Sequence, residues 1–290
     1  MYDDVLLPFD GSDGAMRVLH HAAEIAHRFD ATVHLLYVAD TGRDSVTVVD
    51  GQAVDALVQA GEDVLEDAEE TLRSLGCNYD RDILQGNPAQ TIAEYAERYE
   101  YDLIVMPTRG REGIVKYFLG SVTEKVVKLS SVPVLTARMQ PDEQLVFPYE
   151  EILIPTDGSE SASRAADHAL SLAAALDASV HVLSVVDEGA LGFDVRSVQS
   201  SEAGETAAEE AVDGVAQLAE DHGIDEVVRH VEHGSPVERI LDCIDETGTD
   251  AVVMGTTGRR GTDRILLGSV AEKTIQSAPV PVITVGDGDS

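Results

Sequence analysis

Tryptophan is absent from this 290-residue chain, cysteine occurs twice, and lysine occurs only at Lys116, Lys125, Lys128 and Lys273. Each shortage excludes something. Cys77 and Cys243 occupy non-equivalent places and no Cys-x-x-Cys is present, so neither a disulfide framework nor a thiolate metal site is expected, and both read as free thiols. No apolar stretch approaches the roughly 20 residues that span a bilayer. Met1-Tyr-Asp-Asp4 also lacks the basic start of a signal peptide, so a cytoplasmic location is expected.

What is abundant is acid. Asp and Glu number 54 against 20 Lys and Arg, a formal charge of −34, yet 43% of residues are hydrophobic, enough for two packed cores. The acids are dispersed over stretches such as Glu62 to Glu70 and Glu202 to Glu210. Dispersed acid with scarce lysine points to a halophilic proteome, where salt screens the self-repulsion; an ordinary acidic cytosolic protein is the alternative. Nucleic acid and anionic membrane are poor partners in either case, because their phosphates are repelled.

The chain repeats itself. Val5-Leu-Leu-Pro-Phe-Asp10-Gly-Ser12 returns as Ile152-Leu-Ile-Pro-Thr-Asp157-Gly-Ser159, an offset of 147, as do His34 to Asp40 at His181 to Asp187. Gly86-Asn-Pro88 returns as Gly234-Ser-Pro236 and Ser121-Val-Thr-Glu124 as Ser269-Val-Ala-Glu272, now at 148, so one residue of net insertion separates the copies. Two domains follow, 1–138 and 149–290, with 139–148 as linker.

Each copy alternates short β-branched runs with amphipathic stretches. In the first, 5–9, 32–38, 81–84, 103–106 and 132–136 read as strands, several apolar on both faces as covered parallel strands should be. Val18, Ala22, Ile25, Ala26 and Phe29 mark one helix, and Leu57, Val58, Val64, Leu65, Ala68 and Leu72 a second. Asn87-Pro88 and Ser235-Pro236 are helix starts. The expected class is α/β: two tandem, doubly wound, open parallel five-stranded sheets, Rossmann-like, with right-handed crossovers. In such sheets a ligand lies beyond the carboxyl ends of the strands, where strand order reverses.

Both halves of a candidate site fall there. Gly255-Thr-Thr-Gly258, nine residues, then Gly268-Ser269 follows the fourth strand, and Pro107-Thr-Arg-Gly110, nine residues, then Gly120-Ser121 is its echo. Glycine lets backbone N–H groups approach an anion, and the next helix start adds partial positive charge, which suits a polyphosphate. Ser121 and Ser269 have a second reading as capping-box residues that need no ligand. Asp10 and Asp157 likewise read either as loop carboxylates satisfying a turn or as acceptors for ribose hydroxyls.

Pro-Thr-Asp-Gly-Ser at a strand end, Val185-Val-Asp187 after the second strand, and Gly-x-x-Gly-x9-Gly-Ser together resemble the universal stress protein family, as a tandem member of its ATP-binding branch. The resemblance implies a nucleotide between the first and fourth strands of each copy. It implies that Pro155 and Thr156 flank the adenosine, Asp157 binds ribose and the Val185 backbone contacts adenine. Met254 lines the pocket, Gly255 and Gly258 approach ribose and phosphates, and Gly268, Ser269 and Val270 hold the phosphate tail. Pro8, Asp10, Val38, Met106, Gly110, Gly120, Ser121 and Val122 are the first copy's counterparts.

Pro107 departs from that pattern by removing an N–H, so the first copy binds more weakly, takes AMP or ADP, or stays empty. Arg259, directly after Gly258, reads as a charge partner for phosphate, against the alternative of a solvated loop charge. No Walker lysine and no nucleophile–base pair is present, so a nucleotide-dependent stress switch with at most slow ATPase activity is expected, with Mg2+ bridging the phosphates through mostly water ligands. His21, His34, His168 and His181 read as packing or surface residues, not zinc ligands. Val132-Pro-Val134 and Val280-Pro-Val282 read as edge strands. The resemblance implies that these edges pair the two copies into an intramolecular pseudo-dimer; a further homodimer and protein partners stay open. The competing class is an interaction or scaffold protein of the same fold without nucleotide.

Overall fold

Runs that are apolar on both faces become central strands, because only a sheet covered on both sides can bury them. In a computed structural model of the chain, which describes residues 1–41, 53–108, 119–138, 145–187, 197–257 and 267–286, Val5, Leu6, Leu7, Leu103, Ile104 and Val105 are all fully buried. Each such leucine or isoleucine contributes about 1.5–3 kcal/mol by leaving water.

The first unit lies within residues 1–141 and runs β1 (Asp4–Pro8), α1 (Asp13–Phe29), β2 (Thr32–Asp40), α2 (Ala53–Leu75), β3 (Asn78–Gly86), α3 (Pro88–Arg98), β4 (Leu103–Pro107), α4 (Ser121–Leu129) and β5 (Val134–Ala137). The second lies within 142–287 and runs β6 (Glu151–Pro155), α5 (Glu160–Leu176), β7 (Ser179–Val186), α6 (Ser197–Asp221), β8 (Val227–His233), α7 (Pro236–Thr247), β9 (Ala251–Gly255), α8 (Ser269–Ser277) and β10 (Val282–Val285). Strand order is β3-β2-β1-β4-β5 in the first and β8-β7-β6-β9-β10 in the second, every described pairing being parallel. The chain winds outward from β1 to β3 and then returns past β1 to β4. This is the doubly wound α/β class expected.

The helical stripes bury as the spacing predicts. Val18, Ala22, Ile25 and Ala26 of α1 and Leu65, Ala68 and Leu72 of α2 are buried, while Val64 is half-buried, the side chains of Leu57 and Val58 lie outside the described residues, and Phe29 is half-buried with its ring edge-on to Tyr2 at 5.3 Å. Asn87 caps α3, its Oδ1 accepting from Gln90 N–H at 3.4 Å, whereas Ser235 caps α7 with no side-chain bond. Two strand boundaries differ from expectation. β3 spans nine residues, because its exposed outer residues still pair with β2 although their polarity hides them from a hydrophobic count. β5 begins after Pro133, which has no N–H to give the ladder but whose carbonyl accepts from Ile104 at 2.9 Å.

A carboxylate clamp, repeated in both units, holds the start of the first strand. Asp102 Oδ2 accepts the backbone N–H groups of Asp3 at 2.7 Å and Asp4 at 3.0 Å; Asp250 Oδ2 does the same for Glu150 at 2.7 Å and Glu151 at 3.0 Å.

Candidate functional site

The seam between β1 and β4 is short. It pairs only Val5 with Leu103 and Leu6 with Ile104, while β1–β2 holds five pairs and β4–β5 four. The second unit repeats this with Ile152–Ala251 and Leu153–Val252, against five pairs for β6–β7 and four for β9–β10. The strands therefore part before their carboxyl ends, at the point where strand order reverses, and leave a crevice there.

One bank of the second crevice is the turn after β6. Pro155 is half-buried, and the buried Thr156 donates its N–H to Leu183 O at 2.8 Å. Thr156 Oγ1 accepts from Gly158 N–H at 3.2 Å, and Asp157 Oδ1 from Ser159 N–H at 3.0 Å. Ser159 Oγ then caps α5 through Ala162 N–H at 3.2 Å. Gly158 sits at φ 71°, which favours glycine. The first unit is alike, with Asp10 Oδ1 to Ser12 N–H at 3.0 Å, Ser12 Oγ to Ala15 N–H at 3.2 Å and Gly11 at φ 71°. The turn reading of both aspartates thus holds, and Asp157 is in addition exposed beside the crevice. Ser12 and Ser159 were not singled out from sequence, although Asp-Gly-Ser ahead of a helical stripe is a capping signal.

The other bank is built from β9 and the start of α8. Met254 is buried and Gly255 partly exposed at the strand end. Thr256 O accepts from Gly268 N–H at 2.7 Å, which pins the helix start to the end of the strand; Thr108 O and Gly120 N–H do the same at 2.7 Å. Gly268 (φ −64°, ψ 144°) and Gly120 (φ −61°, ψ 141°) are the N-caps, and among the described residues no side chain caps either helix. The capping-box reading of Ser121 and Ser269 is thereby corrected: both stand one residue inside the helix, exposed, because the residue before each takes the extended cap conformation. Among the described residues, the first-turn amides and their partial positive charge have no capping side chain at the N-cap. Val122 and Val270 follow, half-buried, and Val38 and Val185 lie half-buried near the ends of β2 and β7. Gly110, Gly258 and Arg259 lie outside the described residues.

Gly255 has a packing reason for being glycine. A Cβ there would stand 2.5 Å from Ser161 Oγ and 2.9 Å from both Ser161 C and O, so α5 lies directly on the strand end. The aligned positions of the first unit carry the bulk the other way round: Pro107 on the strand where the second unit has Gly255, and Gly14 on the helix where it has Ser161. Phe9 stands where the second unit has Thr156, and Thr123 Oγ1 donates to Pro107 O at 2.9 Å. Among the described residues, no group of three or more His, Cys, Asp or Glu could hold a metal ion, and no helix is long and apolar enough to cross a membrane.

Residues 1–138 and 148–286 each match the universal stress protein family. The chain belongs to that family. A universal stress protein of Methanocaldococcus jannaschii is 38% identical over 141 residues, covering 48% of this chain and 83% of its own. A putative universal stress protein of Staphylococcus aureus strain USA300 is 32% identical over 139 residues, covering 47% and 84%. The crystal structure of a universal stress protein from Archaeoglobus fulgidus matches over 98% of both chains with a TM-score of 0.76; at 24% identity this is a likeness of fold.

Proposed function

We propose that the second domain of this universal stress protein binds ATP in the crevice between β6 and β9, and that the protein acts in the cytoplasm as a nucleotide-dependent stress-response switch with at most slow ATPase activity. The observation that carries this reading is the parted seam with a glycine-capped helix start beside it, where among the described residues no side chain caps the first-turn amides. Such a terminus suits phosphate oxygens.

In this reading Pro155 and Thr156 flank the adenosine, Asp157 accepts from ribose hydroxyls, the Val185 backbone meets adenine and Met254 lines the base pocket. Gly255 and Gly258 admit ribose and phosphates, Arg259 supplies a positive charge, and Gly268, Ser269 and Val270 receive the phosphate tail. Mg2+ would travel with the phosphates and take most of its ligands from water. Pairing of the two domains through β5 and β10 belongs to the same proposal.

In the first domain a specific observation favours a weaker site or an empty, scaffold-like cleft. Pro107 has no N–H to offer where Gly255 has one, and its carbonyl is already bonded to Thr123. Calorimetric titration of ATP with Mg2+ into nucleotide-free protein at high salt tests both parts. Gly268→Val is expected to weaken binding at least tenfold, about 1.4 kcal/mol, and Gly120→Val to leave it intact. A folded, nucleotide-free wild type that binds no ATP refutes the nucleotide reading in favour of the scaffold.

A further inference from the structure

The second domain holds a histidine pair that the nucleotide reading does not use. His181 Nε2 lies 3.0 Å from Glu151 Oε2, and His181 Nδ1 lies 3.0 Å from Nε2 of His230, the two rings being stacked at 5.3 Å and 26°. Together they bridge β6, β7 and β8. The carboxylate settles the tautomers, because it can only accept. His181 therefore donates Nε2–H to Glu151 and presents the Nδ1 lone pair to His230, whose Nε2–H must be the donor. The one ring nitrogen left to take a proton is His230 Nδ1.

The surroundings are charged on every packed side. His230 lines a cavity between β8 and α7 with Glu232 of its own strand and Arg239, Asp242, Cys243 and Glu246 of the helix, Arg239 being paired with Asp242 at 3.1 Å. Burial, and then the His181 ring, hold the His230 imidazole below the ordinary histidine value against the opposing pull of Glu232 and Glu246.

The first domain lacks the device. His34 keeps its acidic partner, Asp4 Oδ1 at 2.7 Å, but the position of His230 is Asp82 and that of Cys243 is Tyr95. Tyr95 hydroxyl donates to Asp82, and the Tyr95 ring stacks on Tyr101 at 5.7 Å. Burial, with Asp82 adding to it, pushes the Tyr95 phenol upward, so the group that stands in place of Cys243 stays a protonated phenol.

We propose that Glu151, His181 and His230 form an acid-sensitive latch present in the second domain alone. It accepts a first proton from solvent at His230 Nδ1 with both hydrogen bonds kept. A second proton must enter at His181 Nδ1, where it ends the acceptance from His230 and cuts the side-chain tie between β7 and β8. The sign follows from linkage: a histidine whose folded pKa is depressed binds fewer protons than in the unfolded chain, so its share of stability is full at alkaline pH and declines as pH falls below the unfolded value, about 6.5.

The test uses the full chain labelled with 15N at histidine, with the two resonances assigned by His181→Gln and His230→Gln. At pH 8 both rings should be Nε2–H tautomers, and the His230 midpoint should lie below that of free histidine and rise in His181→Gln. Hydrogen exchange, corrected for its intrinsic pH dependence, should show β8 losing protection relative to β3 on acidification, with that loss absent in His230→Gln, or in His181→Gln if the former does not fold. An Nδ1–H tautomer on either ring at pH 8, a His230 midpoint at or above free histidine, or parallel loss in β8 and β3 overturns the proposal.

Discussion

Replacing Gly255 by alanine separates packing from ligand chemistry. The added Cβ would lie 2.9 Å from two backbone atoms of Ser161 as well as 2.5 Å from its Oγ, so rotating the serine cannot relieve the contact and α5 must shift. Overpacking of this kind costs about 1–3 kcal/mol. The smaller conformational freedom of alanine in the unfolded chain returns about 0.4–1 kcal/mol, leaving a net loss of about 1–2 kcal/mol. With a urea dependence of about 2 kcal/mol per molar, the midpoint of the second domain should fall by roughly 0.5–1 M in protein free of nucleotide. Adding Ser161→Gly removes the Oγ contact but not the backbone ones, so recovery should be partial. A nucleotide-free Gly255→Ala protein within about 0.5 kcal/mol of wild type would show that the residue serves only a ligand and that the close approach of α5 is not a constraint.

Asp250→Ala and Asp102→Ala each remove two backbone hydrogen bonds to a charged acceptor, one of them part-buried, and each should destabilise its own domain by about 1–3 kcal/mol in urea unfolding followed domain by domain; an effect confined to one of the two would break the equivalence of the clamps. Burial, with Glu246 and Glu232 adding to it, pushes the Cys243 thiol up to about 11. At pH 8 it should be about a hundredfold less ionised than an ordinary thiol and correspondingly slow to alkylate in the folded protein. Labelling of Cys243 as fast as in urea would contradict its burial.

The repeat, the doubly wound class and the placing of Asp157 and Gly255 at strand ends were legible because they rest on local pattern and on short motifs met twice. Three things were not. The Ser-x-x-Glu pattern fits a capping box in either of two registers one residue apart, and only the backbone angles of Gly120 and Gly268 select the glycine as cap. The clamps join residues 98 to 100 apart in sequence, beyond any periodicity. The packing duty of Gly255 depends on Ser161, which belongs to α5, far away in sequence, and carries no signal of its own. The outer parts of β3 were missed because residues such as Asn78, Asp80 and Gln85 are polar where a buried strand would be apolar.

The exchange of Gly255 and Ser161 for Pro107 and Gly14 bears on how a duplicated gene diverges. Once each copy has placed its bulk on a different partner, neither half can be overwritten piecemeal by the other. A conversion tract carrying only the α1 segment into the second copy sets glycine against glycine and leaves a void. The reverse tract sets serine against proline, with bulk on both members of the pair. Recombinants are penalised in both directions, so the pair acts as a barrier to sequence homogenisation and leaves the two clefts to evolve as separate loci.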